Sequence, residues 1–114
     1  SGVAEAKWPI AVLSEFGDEP SMSWHHAYLS SLTEGRFSVV DTVDGTGVEV
    51  SFPLEIFPYV HIWVVDGGWR SIRVAVVEPW TGAPARLDKA IEQGTANSLA
   101  PSETVSAQLT FRAL

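Results

Sequence analysis

Short runs of alternating apolar and polar residues recur along the chain, separated by residues that favour turns. Alternation with a period of two is typical of a half-buried β-strand, whereas Gly-rich segments such as Asp44-Gly45-Thr46-Gly47 and Asp66-Gly67-Gly68 are typical of turns. The pattern predicts a strand, straight or bent, within residues 21–32. It predicts five more strands, over residues 36–42, 48–52, 59–65, 71–78 and 104–111.

One short segment has a different character. Residues 85–93 contain helix-forming side chains, and Gly94 is suited to end a helix because glycine readily adopts the left-handed conformation. Six or seven strands with at most one short helix predict an all-β protein, specifically an antiparallel twisted β-sandwich. Its 114 residues, 46% of them hydrophobic and 18% charged, are enough for one folded domain over 1–114.

The charge of the chain argues against several classes of partner. The net charge is -7, and the seven basic residues are scattered, so we expect neither a nucleic-acid partner nor an anionic membrane surface. There are no cysteines and no secretory signal pattern, so we expect a cytoplasmic location. The chain begins at Ser1 without a methionine, and we expect it to be part of a longer sequence.

The apolar run 74–77 ends in a carboxylate, Glu78, followed by Pro79. A proline biases the preceding residue to an extended backbone, which projects the Glu78 side chain beyond the strand end, where it would be placed to act as a general base. The simpler alternative is an edge carboxylate that meets water or pairs with Arg70 or Arg73.

Histidine and tryptophan supply the other candidates. On the strand over 59–65, His61 shares a face with Tyr59 and Trp63, and this combination suits hydrogen bonding to a sugar and stacking on it. A histidine on a partly exposed sheet face is an equally good interpretation. His25 and His26 are adjacent, so on a strand they point to opposite faces and a shared metal is not expected. The five tryptophans, Trp8, Trp24, Trp63, Trp69 and Trp80, suit either sugar stacking or the core.

Several of these elements stand in the order found in one family. In chain order they are Phe57-Pro58-Tyr59-Val60-His61-Ile62-Trp63, Val77-Glu78-Pro79, Ala85-Arg86-Leu87-Asp88-Lys89-Ala90, and Gly94 with Leu99-Ala100-Pro101-Ser102-Glu103-Thr104. These elements resemble the C-terminal part of the aldose 1-epimerase, or galactose mutarotase-like, family. The resemblance covers roughly residues 7–114 and is strongest from Pro53 onward. Ser102 stands where the family usually has glycine.

The resemblance implies part of a mutarotase-like supersandwich that binds a monosaccharide or related sugar and interconverts its anomers. Glu78 would be the general base, and His61, Trp63 and Trp80 would contact the sugar. Neither a metal nor a cofactor is implied. In the family, the histidine that acts as general acid comes from an N-terminal part that this chain lacks, so a longer enzyme or a partner chain would supply it. A homodimer, or pairing through exposed sheet edges, is expected, and a non-catalytic sugar-binding module or an assembly domain are the alternatives.

Overall fold

A computed structural model describes residues 17–114 of the chain. It contains six strands and one helix: β1 Ser23–Leu29, β2 Arg36–Val40, β3 Gly47–Ser51, β4 Tyr59–Asp66, β5 Arg73–Trp80, α1 Leu87–Gln93 and β6 Thr110–Ala113. The strands form two three-stranded antiparallel sheets, with the orders β1-β4-β5 and β2-β3-β6. The predicted sandwich-like, mostly-β class with at most one short helix is therefore confirmed.

The second sheet shows why alternation predicts its strands. Phe37, Val50 and Phe111 are aligned across β2, β3 and β6, so these three apolar side chains share one face. Ser38, Glu49 and Arg112 are aligned one position along and lie on the other face. Because side chains of a strand alternate between faces, each strand presents an apolar side and a polar side.

The helix α1 is close to its predicted position. It begins two residues later than residue 85 and ends at Gln93, followed by Gly94 with a φ of 71° in the left-handed region. The backbone N–H of Gly94 bonds to carbonyl oxygens of the last turn, those of Ala90 and Ile91. Gly94 therefore ends the helix as predicted, because glycine takes this conformation without the strain of a side chain.

The last strand departs from the prediction. Residues 104–109 alternate but are not in a strand, and β6 starts only at Thr110. The available partner, β3, is five residues long, and it pairs with β6 from Val48 to Ser51. Pro53, which has no N–H to donate, follows β3 closely. An alternating sequence forms a strand only where a partner offers hydrogen bonds, so the prediction over 104–109 was wrong.

The chain folds into two compact units. The first consists of residues 17–27 of the described chain and Trp63–Val76, and the second of Tyr28–Ile62 and Val77–Leu114. In the first unit Val65 is completely buried, and Asp66 is buried beside it in the chain. The buried side chains of the second unit are those of Val50, Phe52, Val60, Ile62, Ala83 and Ala90. On β4, Val60 and Ile62 are buried, whereas Val64 is half-buried.

Candidate functional site

Glu78 is the third residue from the C-terminal end of β5 and keeps a partly exposed carboxylate, with 45% of its side chain accessible. One oxygen, Oε2, has two neighbours. Trp80 donates its indole Nε1–H to Oε2 over 2.8 Å, and Nδ1 of His61 lies 3.3 Å from the same atom. In the tautomer with a proton on Nδ1, His61 donates a hydrogen bond to this oxygen, since an ionised carboxylate only accepts them. The two donors fix the orientation of the carboxylate.

The rings around this carboxylate form an aromatic cluster of Tyr28, His61 and Trp80. The centroid of the His61 ring lies 4.4 Å from the centroid of the Trp80 ring and 4.9 Å from that of the Tyr28 ring. The centroids of the Tyr28 and Trp80 rings are 5.5 Å apart. These separations are those of rings in direct contact. The His61 side chain is only 12% exposed, so the cluster restricts its movement.

The strand order explains how these side chains meet. Tyr28 lies on β1, His61 on the central strand β4 and Trp80 on β5, and the order of the sheet is β1-β4-β5. Glu78 and Trp80 are two residues apart on one strand and therefore point to the same face. Three neighbouring strands thus each contribute to one cluster, and all four residues belong to the second unit.

A cavity of about 190 Å³ borders the cluster at Trp80. Its walls come from the loop after β5, from α1 and from the segment that follows α1; the lining residues are Trp80, Thr81, Gly82, Pro84, Ala85, Leu87, Ala90, Ala96 and Asn97. The backbone N–H of Ala85 donates to the Tyr28 hydroxyl over 3.2 Å. This bond links the cavity wall to the aromatic cluster.

Three of the predicted site residues lie together in the second unit. Glu78, His61 and Trp80 are in contact, whereas Trp63 belongs to the first unit, where its ring packs edge-on against Trp69 at 5.3 Å. Trp8 lies outside the described residues.

The basic residues considered as partners of Glu78 have contacts in the first unit. Arg73 forms an ion pair with Asp66, with 2.7 Å between Nε and Oδ1, and the Arg70 guanidinium lies 4.6 Å from the centre of the Trp69 ring. The adjacent histidines are both exposed, and His26 contacts the Trp24 ring at 5.7 Å. Glu78 itself contacts a histidine and an indole and keeps 45% of its side chain exposed, which is compatible with the edge carboxylate that meets water.

Tyr28 is the residue of the cluster that the sequence pattern did not reveal. It falls within residues 21–32, where alternation is irregular and the boundaries of the strand were not predicted. The one usable signal is that β-propensity rises at Tyr28-Leu29 just before a run of serines.

Asp66, in the first unit, is a second polar centre. Its carboxylate accepts a hydrogen bond from the backbone N–H of Ser21 over 2.9 Å. It also accepts one from Nε of Arg73, with which it forms an ion pair. The Ser21 backbone N–H and hydroxyl, with Arg73, hold the pKa of Asp66 below its usual range. Hydrogen bonds to the charged form thus compensate the burial of this carboxylate.

Residues 17–114 contain neither a metal-binding cluster nor a helix that could span a membrane. This part of the chain contains no group of three or more His, Cys, Asp or Glu side chains arranged to hold a metal ion. Its helical content also includes nothing long and apolar enough to cross a membrane.

The fold and the site together define a mostly-β, sandwich-like protein with a partly exposed carboxylate set in an aromatic cluster. Comparison of the chain with protein-family models, with curated proteins and with solved structures finds no significant match. The resemblance to aldose 1-epimerases therefore rests on the residues quoted from the sequence.

Proposed function

We propose that the cluster around Glu78 binds a monosaccharide and that Glu78 acts as general base in the interconversion of its anomers. The observation that carries this proposal is the pairing of both donors, His61 and Trp80, with a single oxygen of Glu78. Within residues 17–114, no hydrogen bond occupies the other oxygen, Oε1, which is therefore available to accept a proton. Contact with rings is also what a sugar with one apolar face requires.

The reaction would proceed by ring opening. Glu78 removes the proton of the anomeric hydroxyl, the electron pair of that O–H bond forms the carbonyl at C1, and the bond between C1 and the ring oxygen breaks. A general acid protonates the departing ring oxygen. Rotation about C1–C2 then presents the other carbonyl face, and the reverse transfers close the ring in the other configuration.

The general acid is a separate requirement. His61 is the one histidine of the second unit, all of whose residues are described, and its Nδ1 is engaged with Glu78. We therefore assign His61 to positioning and sugar contact, and we propose that the acid comes from preceding sequence or from a partner chain. The proposal includes pairing through exposed sheet edges, by which a second chain would be recruited.

Polarimetry tests the enzymatic proposal. Freshly dissolved α-D-glucose or α-D-galactose should approach anomeric equilibrium faster with the protein than with buffer. Glu78→Gln should reduce the protein-dependent rate by about 10²–10⁴-fold, the usual contribution of a positioned acid or base. Glu55→Gln, at an exposed position in a turn, is the control and should leave the rate unchanged. A rate equal to that of buffer, or one insensitive to Glu78→Gln, contradicts the proposal.

A sugar-binding module without catalysis is the second candidate. The mutual contact of Tyr28, His61 and Trp80 favours it, because such a surface binds a sugar whether or not an acid is present. Calorimetric titration with the same two sugars separates the candidates. Sugar-dependent heat without mutarotation supports the binding module, and the absence of heat argues against both.

A further inference from the structure

We infer that the cavity beside Trp80 is a second sugar subsite, so that the preferred ligand is a reducing disaccharide rather than a monosaccharide. This inference rests on the proposed function, because it assumes that the reducing ring lies at Glu78. Trp80 carries the argument, since its indole N–H contacts the carboxylate and the same residue lines the cavity. A ligand whose first ring reaches Glu78 would therefore have the cavity as its neighbour.

The size of the cavity fits one ring. A buried apolar cavity of about 150 Å³ binds benzene, and drug-sized ligands need roughly 300–1,000 Å³. At about 190 Å³ the present cavity accommodates a six-membered ring and nothing much larger. Several lining residues, including Thr81, Leu87 and Asn97, are exposed, so the cavity opens to solvent and the hydroxyls of a pyranose can project outward.

The chemistry of the walls also fits a sugar. Trp80 offers an aromatic plane for the C–H face of a pyranose, and Pro84, Leu87 and Ala96 offer further apolar contact. Thr81 and Asn97 contribute a hydroxyl and a carboxamide, which donate and accept hydrogen bonds with sugar hydroxyls. No ionisable side chain lines the cavity, which favours a neutral ring over a phosphate or carboxylate group.

The walls are held together before any ligand binds. The Thr95 hydroxyl donates to the Ala83 carbonyl in the loop after β5, and the Thr95 backbone N–H donates to the Ala90 carbonyl in α1 over 2.8 Å. One residue thus connects the loop, the helix and the segment 95–97. A pre-formed cavity requires little ordering on binding, which favours affinity.

The test compares sugars that share the same reducing ring. Calorimetry with D-glucose, maltose and lactose should give at least a tenfold lower Kd for one of the two disaccharides than for glucose. Ala96→Leu fills the cavity and should abolish that difference while leaving the Kd for glucose unchanged. Ala107→Leu, at an exposed position outside the cavity, should preserve both values. If Ala96→Leu fails to fold, Leu87→Trp at the exposed rim provides the same obstruction.

The outcomes separate this inference from the proposed function. Equal affinity for glucose and both disaccharides, with Glu78-dependent mutarotation intact, overturns the subsite alone. Equal weakening of all three sugars by Ala96→Leu also overturns it, since the cavity would then not be a distinct subsite. Binding of none of the sugars overturns both proposals. A change in sedimentation with Ala96→Leu, without a change in sugar affinity, would identify a second copy of the chain as the occupant and overturn the subsite.

Discussion

At the scale of single residues, Ser102 occupies a turn position that favours glycine. The N–H of Glu103 bonds to the carbonyl of Ala100 over 3.0 Å, and Pro101 and Ser102 are the central residues of the turn. Ser102 has a φ of 64°. Proline followed by a residue with positive φ is the pattern of a type II turn, in which glycine is favoured at the second position. The turn therefore has the form that glycine would give, with a serine in a strained conformation.

Replacing this serine should stabilise the protein. A left-handed conformation costs a residue with a side chain about 1–2 kcal/mol, and glycine loses roughly 0.4–1 kcal/mol more conformational entropy on folding. Ser102→Gly should therefore raise the free energy of unfolding by about 0.5–1 kcal/mol in chemical denaturation. Ser98→Gly, at an exposed residue without a positive φ, should lower it. Destabilisation by Ser102→Gly would show that the serine is not strained.

Asp66 should make the free energy of unfolding depend on pH. Its pKa is lower in the folded chain than in the unfolded one, because Ser21 and Arg73 stabilise the carboxylate. At pH values between these two pKa values, the unfolded chain binds more protons than the folded one. The contribution of Asp66 to the free energy of unfolding is therefore complete above the unfolded pKa of about 3.9, and it is lost as the pH falls through the folded pKa.

The variant Asp66→Asn isolates this effect. Its free energy of unfolding should be lower than that of the wild type at pH 6, and the difference should shrink as the pH is lowered below about 4. Urea titrations at a series of pH values measure it. A difference that stays constant with pH would mean that the Asp66 proton affinity is the same in both states.

The residues of the site were recognisable from the sequence to different degrees. Glu78 was recognisable because an apolar strand and a proline surround it, and His61 because of the aromatic residues beside it. Their mutual contact was not, since it depends on which strands are neighbours, and β4 and β5 are joined by an irregular turn around Gly67. Trp63 shows the limit of the face argument: it is two residues from His61 on the same face of β4, yet its ring contact is with Trp69.

At the scale of elements, a row of charges connects the three strands of the second sheet. Glu49 on β3 lies between Arg36 on β2, at 3.6 Å, and Arg112 on β6, at 3.1 Å. Only 16% of the Glu49 side chain is exposed, so its charge is less screened than those of the arginines. One carboxylate thus supports both neighbouring strands.

Removing this carboxylate should weaken the sheet. Glu49→Gln eliminates both ion pairs and leaves two guanidinium groups near each other, so we expect a loss of about 1 kcal/mol in the free energy of unfolding. The loss should diminish at high salt. Glu92→Gln breaks the exposed pair with Lys89 and should cost less than about 0.5 kcal/mol. Equal effects of the two variants would contradict a role for Glu49 across the strands.

The elements themselves were largely predictable. The predicted segments 36–42, 48–52, 59–65 and 71–78 each overlap an observed strand, because β-branched and aromatic residues between turn residues favour strands. The end of the chain was not predictable from alternation, because the length of β6 is set by β3. Sequence alone does not specify the partner of a strand.

At the scale of the whole molecule, the outer strand β6 bears on association. Among the described strands β6 pairs only with β3, and Phe111 at its centre is 68% exposed. An edge strand with an exposed aromatic side chain offers backbone hydrogen bonds and apolar surface to another chain. This is the edge through which we propose that a partner pairs.

Light scattering tests the edge. The apparent mass of the wild type should rise with protein concentration, and Phe111→Lys should keep the protein monomeric, because a charge on an edge strand disfavours pairing. Phe111→Leu retains an apolar side chain and should still associate. A wild type that stays monomeric at high concentration would count against pairing through β6.

The residues proposed for catalysis and those proposed for the second subsite lie close together in the sequence, which has a consequence for engineering. Residues 78–85 include Glu78, Trp80 and the cavity residues Thr81, Gly82, Pro84 and Ala85. The carboxylate and the indole lie on β5, whereas the other four lie in the loop that follows. Under the proposed function, exchanging residues 81–85 as a cassette would vary ligand preference while the strand keeps the carboxylate in place, so a small library confined to five codons would sample the specificity of the proposed site.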